Sequence, residues 1–295
     1  MNYETAPLNV IVVGCGFLGK TAAQLFSSRG DYVLGIVSSN DSREKIITAQ
    51  KKEGCFFDIA ACDVMDEEAV DSLSHKIPRG ATMIYALSSG KGGAEKYTAI
   101  YRDGMQRLLK AWQPRRIIFV SSTSVYAQAS GEKVTELSRA EPERETSRIL
   151  LEAEKIALGV SGIAARFSGI YGPGRSVLLK KFLSGEAILE NKGERFINQI
   201  HRDDGARALL HLALSENATG IYNVTDDTPV TQHDVYQWIA DYFGKPMPLS
   251  GPADLHRKRA WTSKKISNEK LRALGWKPDF PSYREALYSG KLESR

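Results

Sequence analysis

Three glycines offer the first chemistry in this chain. Gly14, Gly16 and Gly19 stand in the spacing G-x-G-x-x-G inside Leu8–Lys20, LNVIVVGCGFLGK. The apolar run Val10–Val13 before them predicts a buried strand, and TAAQLFSSRG after them predicts a helix closed by Gly30. Strand, glycine turn and helix together make the spacing a dinucleotide-binding signal. Gly14 permits a sharp turn, Gly16 lets the backbone approach a pyrophosphate, and Gly19 lets the helix pack close to the strand. The helix start, with Phe17 and Leu18, offers N–H groups and the positive end of the helix dipole to phosphate.

Further along, the strand Tyr32–Val37 ends at Ser38, Ser39 and Asn40, with Arg43 close behind. A carboxylate at this position bonds the ribose hydroxyls of NAD, whereas small polar residues with an Arg nearby accommodate the phosphate of NADP. The residues present favour NADP over NAD, although Asp41 could still serve the ribose. Other strand ends add Asp63 and Val64, then Ala86, Leu87 and Ser88, and then Ser121 and Ser122. Ligands of doubly wound sheets bind beyond the carboxyl ends of the strands, so these distant segments are expected to converge there. The loop Ser88–Gly93 is glycine-rich but lacks the G-x-x-x-x-G-K-[ST] spacing of a phosphate loop.

The elements that must position these residues alternate. Strands are expected at Cys55–Ala60, Thr82–Leu87, Arg116–Val120, Gly162–Phe167 and Ile221–Val224. Helices are expected at Met65–His75 with Asp66 as cap, Lys96–Trp112, Glu143–Leu158, Val177–Leu183, Gly205–Ala213 and Thr231–Phe243. The connections suit right-handed crossovers, which argues an α/β fold with a doubly wound parallel sheet.

Composition excludes several classes. The 295 residues are 42% hydrophobic and 25% charged, which indicates neither disorder nor a membrane protein. The N-terminus lacks a signal-peptide pattern, and no apolar run approaches the roughly 20 residues of a spanning helix. Cys15, Cys55 and Cys62 form no C-x-x-C, and the histidines show no ligand spacing, so neither a disulfide framework nor a metal is expected. A cytoplasmic protein is the expected default. Cys15, in the glycine turn, is read as a small residue whose thiol could be acidified by the helix start. The net charge of +5 favours anionic ligands without arguing for nucleic acid.

Taken in order, GCGFLG (14–19), FVSSTSVY (119–126), ARFSGIYGPGR (165–175), INQIHRDDGARALLHLA (197–213), GIYNVTDDTPVT (220–231) and SNEKLRALGWKP (267–278) resemble the extended short-chain dehydrogenase/reductase superfamily, the NAD-dependent epimerase/dehydratase group. The resemblance implies a Rossmann nucleotide domain, residues 1–166 with 204–224 returning to it. A smaller substrate lobe would comprise 167–203 and 225–295, with the chemistry in the cleft between lobes. It implies hydride transfer on NAD(P), a Tyr as general acid or base, a Lys four residues later that lowers its pKa, and a Ser or Thr that holds the same oxygen. Ser122 matches that Ser.

The Tyr is missing. If Glu154 is the family's Glu, Thr146 replaces Tyr and Leu150 replaces Lys; if Lys155 is the family's Lys, Leu151 replaces Tyr. Val13 also stands where most extended members have the first glycine of G-x-x-G-x-x-G. Both departures resemble the atypical branch of the superfamily. Tyr126 and Tyr171 are the first substitute phenols to consider, with Tyr97 and Tyr101 behind them, though packing could explain Tyr126 and Tyr171. Asp203 and Asp204 read as helix caps, and His201 beside them as chiefly structural.

Arg175, and the run Arg257-Lys258-Arg259 with Lys264-Lys265, could hold a substrate phosphate or form a solvated loop. The expected partner is a small-molecule substrate, phosphorylated or nucleotide-linked, with a homodimer as the candidate assembly and no membrane or nucleic acid. Two functions follow. One is an NAD(P)-dependent oxidoreductase, epimerase or dehydratase acting on a small polar or nucleotide-sugar-like substrate. The other is a catalytically silent NAD(P)-binding regulatory protein.

Overall fold

The computed structural model describes residues 6–90, 92–253 and 262–292. Seven strands form the main sheet: β1 Asn9–Val13, β2 Tyr32–Val37, β3 Asp58–Ala61, β4 Thr82–Tyr85, β5 Arg116–Ser122, β6 Ile163–Phe167 and β7 Gly220–Val224. Their order is β7-β6-β5-β4-β1-β2-β3. β1 runs parallel to both β2 and β4, and the pairs β2–β3 and β4–β5 are parallel as well. The chain starts at β1, winds out to β3 and returns to β4, so β1 marks the switch point of a doubly wound Rossmann sheet. Val10 to Val13 are 0% exposed, as expected of a strand covered on both faces.

Local chemistry sets the helix ends. α1 (Phe17–Ser28) begins directly after the glycine turn. α2 (Asn40–Glu53) is capped by Ser39, whose side chain accepts the Ser42 amide, and it stops at Gly54 in the left-handed region. α3 (Glu67–Leu73) is capped by Asp66, as the sequence predicts, through the Ala69 amide at 3.0 Å. The next helix is one run in three parts: α4 (Ala94–Tyr97), a π-helical turn Thr98–Gly104, and α5 (Met105–Trp112). Then come α6 (Glu145–Gly159), α7 (Val177–Leu183), α8 (Arg202–Leu214), α9 (Gln232–Phe243) with a Thr231–Asp234 capping box, α10 (Glu269–Ala273) and α11 (Tyr283–Tyr288). No helix among the described residues is long and apolar enough to cross a membrane.

The chain divides into two compact units. The first comprises Met1–Ser121, Glu145–Ala165 and Ala206–Ile221; the second comprises Ser122–Arg144, Arg166–Gly205 and Tyr222–Arg295. The second unit has its own core, in which Tyr171, Leu179, Phe182, Val235, Tyr236 and Tyr283 are buried. It also carries short strand pairs, among them Gln199–His201 with Gly169–Tyr171 and Lys265–Ile266 with Lys133–Val134.

Several expected boundaries change. β3 starts at Asp58 rather than Cys55, and α8 starts at Arg202, three residues before Gly205. The helix expected over 96–112 contains a π-turn that apolar spacing does not reveal. Residues 122–144, expected with the nucleotide domain, group with the second unit.

Candidate functional site

In the first unit the glycine turn is built by contacts that only hydrogen atoms allow. Gly14 has φ +98°, and a Cβ there would stand 2.7 Å from the Ala86 carbonyl oxygen and 2.8 Å from the Leu87 nitrogen. A Cβ on Gly19 would fall 2.1 Å from the Gly14 carbonyl oxygen, so the helix start lies directly on the turn. Gly16 differs: it is exposed, and nothing lies within 4 Å of the place its Cβ would take. Two of the glycines therefore serve internal packing, and the middle one leaves room beside the first turn of α1. The opening amides of a helix have no acceptors within it, which is the arrangement that receives phosphate.

Cys15 is 5% exposed, its thiol donates to the Val12 carbonyl at 3.5 Å, and burial pushes its pKa up to about 12. The acidified thiol the sequence allowed is thus overturned: desolvation outweighs the helix end.

At the end of β2, Ser38 is exposed and Ser39 serves as the α2 cap. Arg43 lies in the first turn of α2, its Nε donating to the Ile59 carbonyl at 3.2 Å and its Nη1 paired with Glu44 at 3.1 Å. Asp63 accepts the Met65 amide at 3.0 Å, and Val64 is buried with its carbonyl held by Arg107 at 2.5 Å. After β4, the Ala86 amide continues the sheet by bonding Val13 O at 2.8 Å. Leu87 is half-buried and Ser88 is exposed.

Ser121 is buried and donates to Glu154 Oε1 at 2.5 Å. That bond ties α6 to the end of β5. Thr146 is half-buried, Leu150 is 6% exposed and Glu154 is 2% exposed, whereas Lys155 stands in solvent. The inward face of α6 therefore carries Thr146 and Leu150, with neither phenol nor ammonium. Glu154, weighed in the sequence only as a marker of register, is here the buried acceptor of the Ser121 hydroxyl.

In the second unit, Ser122 is half-buried and caps the turn Thr123–Val125, accepting the Ser124 amide at 3.2 Å. Its hydroxyl keeps a proton to donate. The two substitute phenols do not stand open. Tyr126 is 0% exposed; its hydroxyl donates to Asn223 Oδ1 at 2.9 Å, and Arg166 stacks 4.8 Å from its ring centre. Tyr171 is 2% exposed, packed 4.9 Å from Tyr283 and 5.4 Å from His201 between ring centres. Burial pushes both phenols above the usual tyrosine range. Packing accounts for the burial of both phenols.

His201 is buried against Phe280, its Nδ1 accepting the Asp203 amide at 3.3 Å. Asp204 does not act as the expected helix cap. It is 0% exposed and accepts the amides of Asp279 and Phe280 at 2.9 and 3.0 Å, anchoring the C-terminal segment. Arg175 is exposed after a tight turn closed by Gly172. Arg257, Lys258 and Arg259 lie outside the described residues. Lys264 is not a surface cation: it is 4% exposed, donates to the Tyr126 carbonyl, and burial pushes its pKa down to about 8. Lys265 is exposed, over the Phe196 ring at 4.5 Å.

Comparison with known proteins agrees with this geometry. A family model described as "NAD dependent epimerase/dehydratase family" matches residues 10–225. Protein YeeZ of Escherichia coli (strain K12) is 27% identical over 282 residues, covering 92% of this chain and 96% of that protein. A solved structure described as a putative NAD-dependent epimerase/dehydratase from Methylobacillus flagellatus is 26% identical, covers 96% of this chain and 97% of its own, and superposes with a TM-score of 0.74. MoeE5 in complex with UDP-glucose and NAD is 22% identical, covers 95% and 96%, and has a TM-score of 0.75.

Proposed function

The chain belongs to the NAD dependent epimerase/dehydratase family, and on that premise we propose that it binds NAD(P), with NADP preferred, for oxidoreductase, epimerase or dehydratase chemistry on a small polar or nucleotide-sugar-like substrate. The observation that carries the reading is the contrast within the glycine turn: Gly14 and Gly19 are packed shut, and Gly16 is open. The residues present fit a dinucleotide. Gly16, Phe17, Leu18 and Gly19 would face the pyrophosphate. Ser38, Ser39 and Arg43 would face the adenosine ribose and its phosphate. Asp63 and Val64, Ala86–Ser88 and Ser121 would line the remainder.

When bound, the dinucleotide supplies the hydride acceptor and donor. Ser122 holds the substrate oxygen through its hydroxyl proton, and Glu154 fixes Ser121 beside it in sequence. Arg175, with Arg257 and Arg259, is assigned to a substrate phosphate; MoeE5, whose structure holds UDP-glucose, supports a nucleotide-linked substrate. The chain is taken to work in the cytoplasm, where its free cysteines are at home, as a homodimer, the commonest closed assembly.

Fluorescence titration with NADPH and NADH, followed by NAD(P)H turnover on a panel of nucleotide sugars and small carbonyl compounds, tests the reading. Saturable binding with NADPH tighter than NADH, and turnover on one class of substrate, is expected. The second reading, a silent NAD(P)-binding regulator, is favoured by the buried Leu150 in place of the family's Lys and by the buried phenols of Tyr126 and Tyr171. Tight dinucleotide binding with no turnover anywhere on the panel would decide for it.

A further inference from the structure

The Tyr101 side chain bonds the loop after β4 at two points. Once Ala86 leaves the sheet, the Leu87 carbonyl and the Ser89 amide both meet the hydroxyl of Tyr101. That hydroxyl donates to Leu87 O at 3.1 Å and accepts from Ser89 N at 3.3 Å. Ser89 is 3% exposed and Tyr101 is 7% exposed, so the junction is largely shielded from water. The same stretch of loop touches the glycine turn, because the Ala86 carbonyl and Leu87 amide occupy the space that a Gly14 Cβ would need.

Tyr101 is itself held in place. It sits in the π-turn Thr98–Gly104, where one turn holds an extra residue. Tyr85, the last residue of β4, donates its buried hydroxyl to the Ile100 carbonyl at 2.5 Å. Burial keeps that phenol protonated, so it remains a donor throughout the neutral range. Gly104 permits the approach, since a Cβ there would stand 3.2 Å from the Tyr85 hydroxyl and 2.8 Å from Val64 Cγ2. Phe119 of β5 lies 6.1 Å from both the Tyr85 and Tyr101 rings. The strand thus grips the helix through Tyr85, and the helix grips the loop through Tyr101.

We infer that Tyr101 is a positioning residue for dinucleotide binding: through the π-turn it fixes the loop Ala86–Ser89 against the glycine turn before the cofactor arrives. The inference rests on the dinucleotide reading given above. A loop ordered in advance does not charge its ordering entropy to binding, so removal of the hydroxyl weakens affinity without disturbing the ring packing.

The test compares Tyr101→Phe with Tyr97→Phe, a phenol on the same helix 5.0 Å away between ring centres. NADH and NADPH dissociation constants are measured by fluorescence, and amide hydrogen exchange across residues 87–90 is measured without cofactor. Tyr101→Phe is expected to raise both dissociation constants about tenfold and to speed exchange at Ser89. Tyr97→Phe is expected to change neither. If the unmodified protein binds dinucleotide and Tyr101→Phe binds equally well, the positioning role is wrong while the cofactor reading stands. If the unmodified protein binds neither NADH nor NADPH, the cofactor reading fails and takes this role with it. Should Tyr101→Phe not fold, exchange in the unmodified protein decides: a Ser89 amide slower than its neighbours supports the role, and one exchanging as fast overturns it.

Discussion

Ser122 accepts the Ser124 amide and still has a proton to give. At the scale of single residues this separates it from the buried phenols. Tyr126 spends its proton on Asn223, and Tyr171 is enclosed in the core of the second unit. Ser122→Ala is therefore expected to lower kcat about 10²-fold, the range for losing one positioned donor, while the NADPH dissociation constant stays unchanged. Steady-state kinetics with a binding titration on the same variant check this. An unchanged kcat would remove Ser122 from the chemistry. The sequence alone offers Ser122 as a candidate because its place rests on a contiguous segment, FVSSTSVY. Tyr126 and Tyr171 could not be judged that way, since burial depends on residues as distant as Asn223 and Tyr283.

Among the elements, the strand–turn–helix unit formed by β1 and α1 was readable in full. Its determinants, four apolar residues and three glycines, are local in sequence. Gly19→Ala places a methyl 2.1 Å from the Gly14 carbonyl oxygen, a backbone atom that cannot rotate away. The variant is expected to lose about 1–3 kcal/mol, the range for overpacking, visible as a lower denaturation midpoint in urea. An unchanged midpoint would show that α1 can move off the turn at no cost. The π-turn escaped the sequence because its apolar positions still repeat at near-helical spacing, and the extra residue is stabilised by Tyr85 from another element. Asp204 was misread for a related reason. An acidic residue near a helix start resembles a cap, but Asp204 lies within α8, and its carboxylate accepts amides 75 and 76 residues away.

For the molecule as a whole, Asp226 makes stability depend on pH. It is buried, and desolvation with Asp227, Asp204 and Glu285 nearby holds its carboxyl well above the usual range. Because the folded-state pKa lies above the unfolded one, stability is greatest below the unfolded value near 4 and falls as pH rises toward the folded value. Asp226→Asn keeps an acceptor for the Thr228 amide and removes the titration. Its melting temperature is expected to exceed that of the unmodified protein at pH 8 by at least about 2 °C, with the difference shrinking toward pH 4. A difference that does not change with pH would refute the account of this group. The division into two units was legible only in outline: residues 122–144 follow the fifth strand in sequence, yet group with the second unit through pairings such as Lys265–Ile266 with Lys133–Val134. The central claim, that the glycine turn is a dinucleotide site, is tested most directly by Gly16→Ala, with NADPH affinity and unliganded melting measured on one preparation. Gly16 has a negative φ of −82° and open space around it, so the methyl meets nothing in the free protein. The predicted result is an unchanged melting temperature with NADPH affinity lowered at least about tenfold, equivalent to ~1.4 kcal/mol. NADPH bound equally well by Gly16→Ala and the unmodified protein would contradict it.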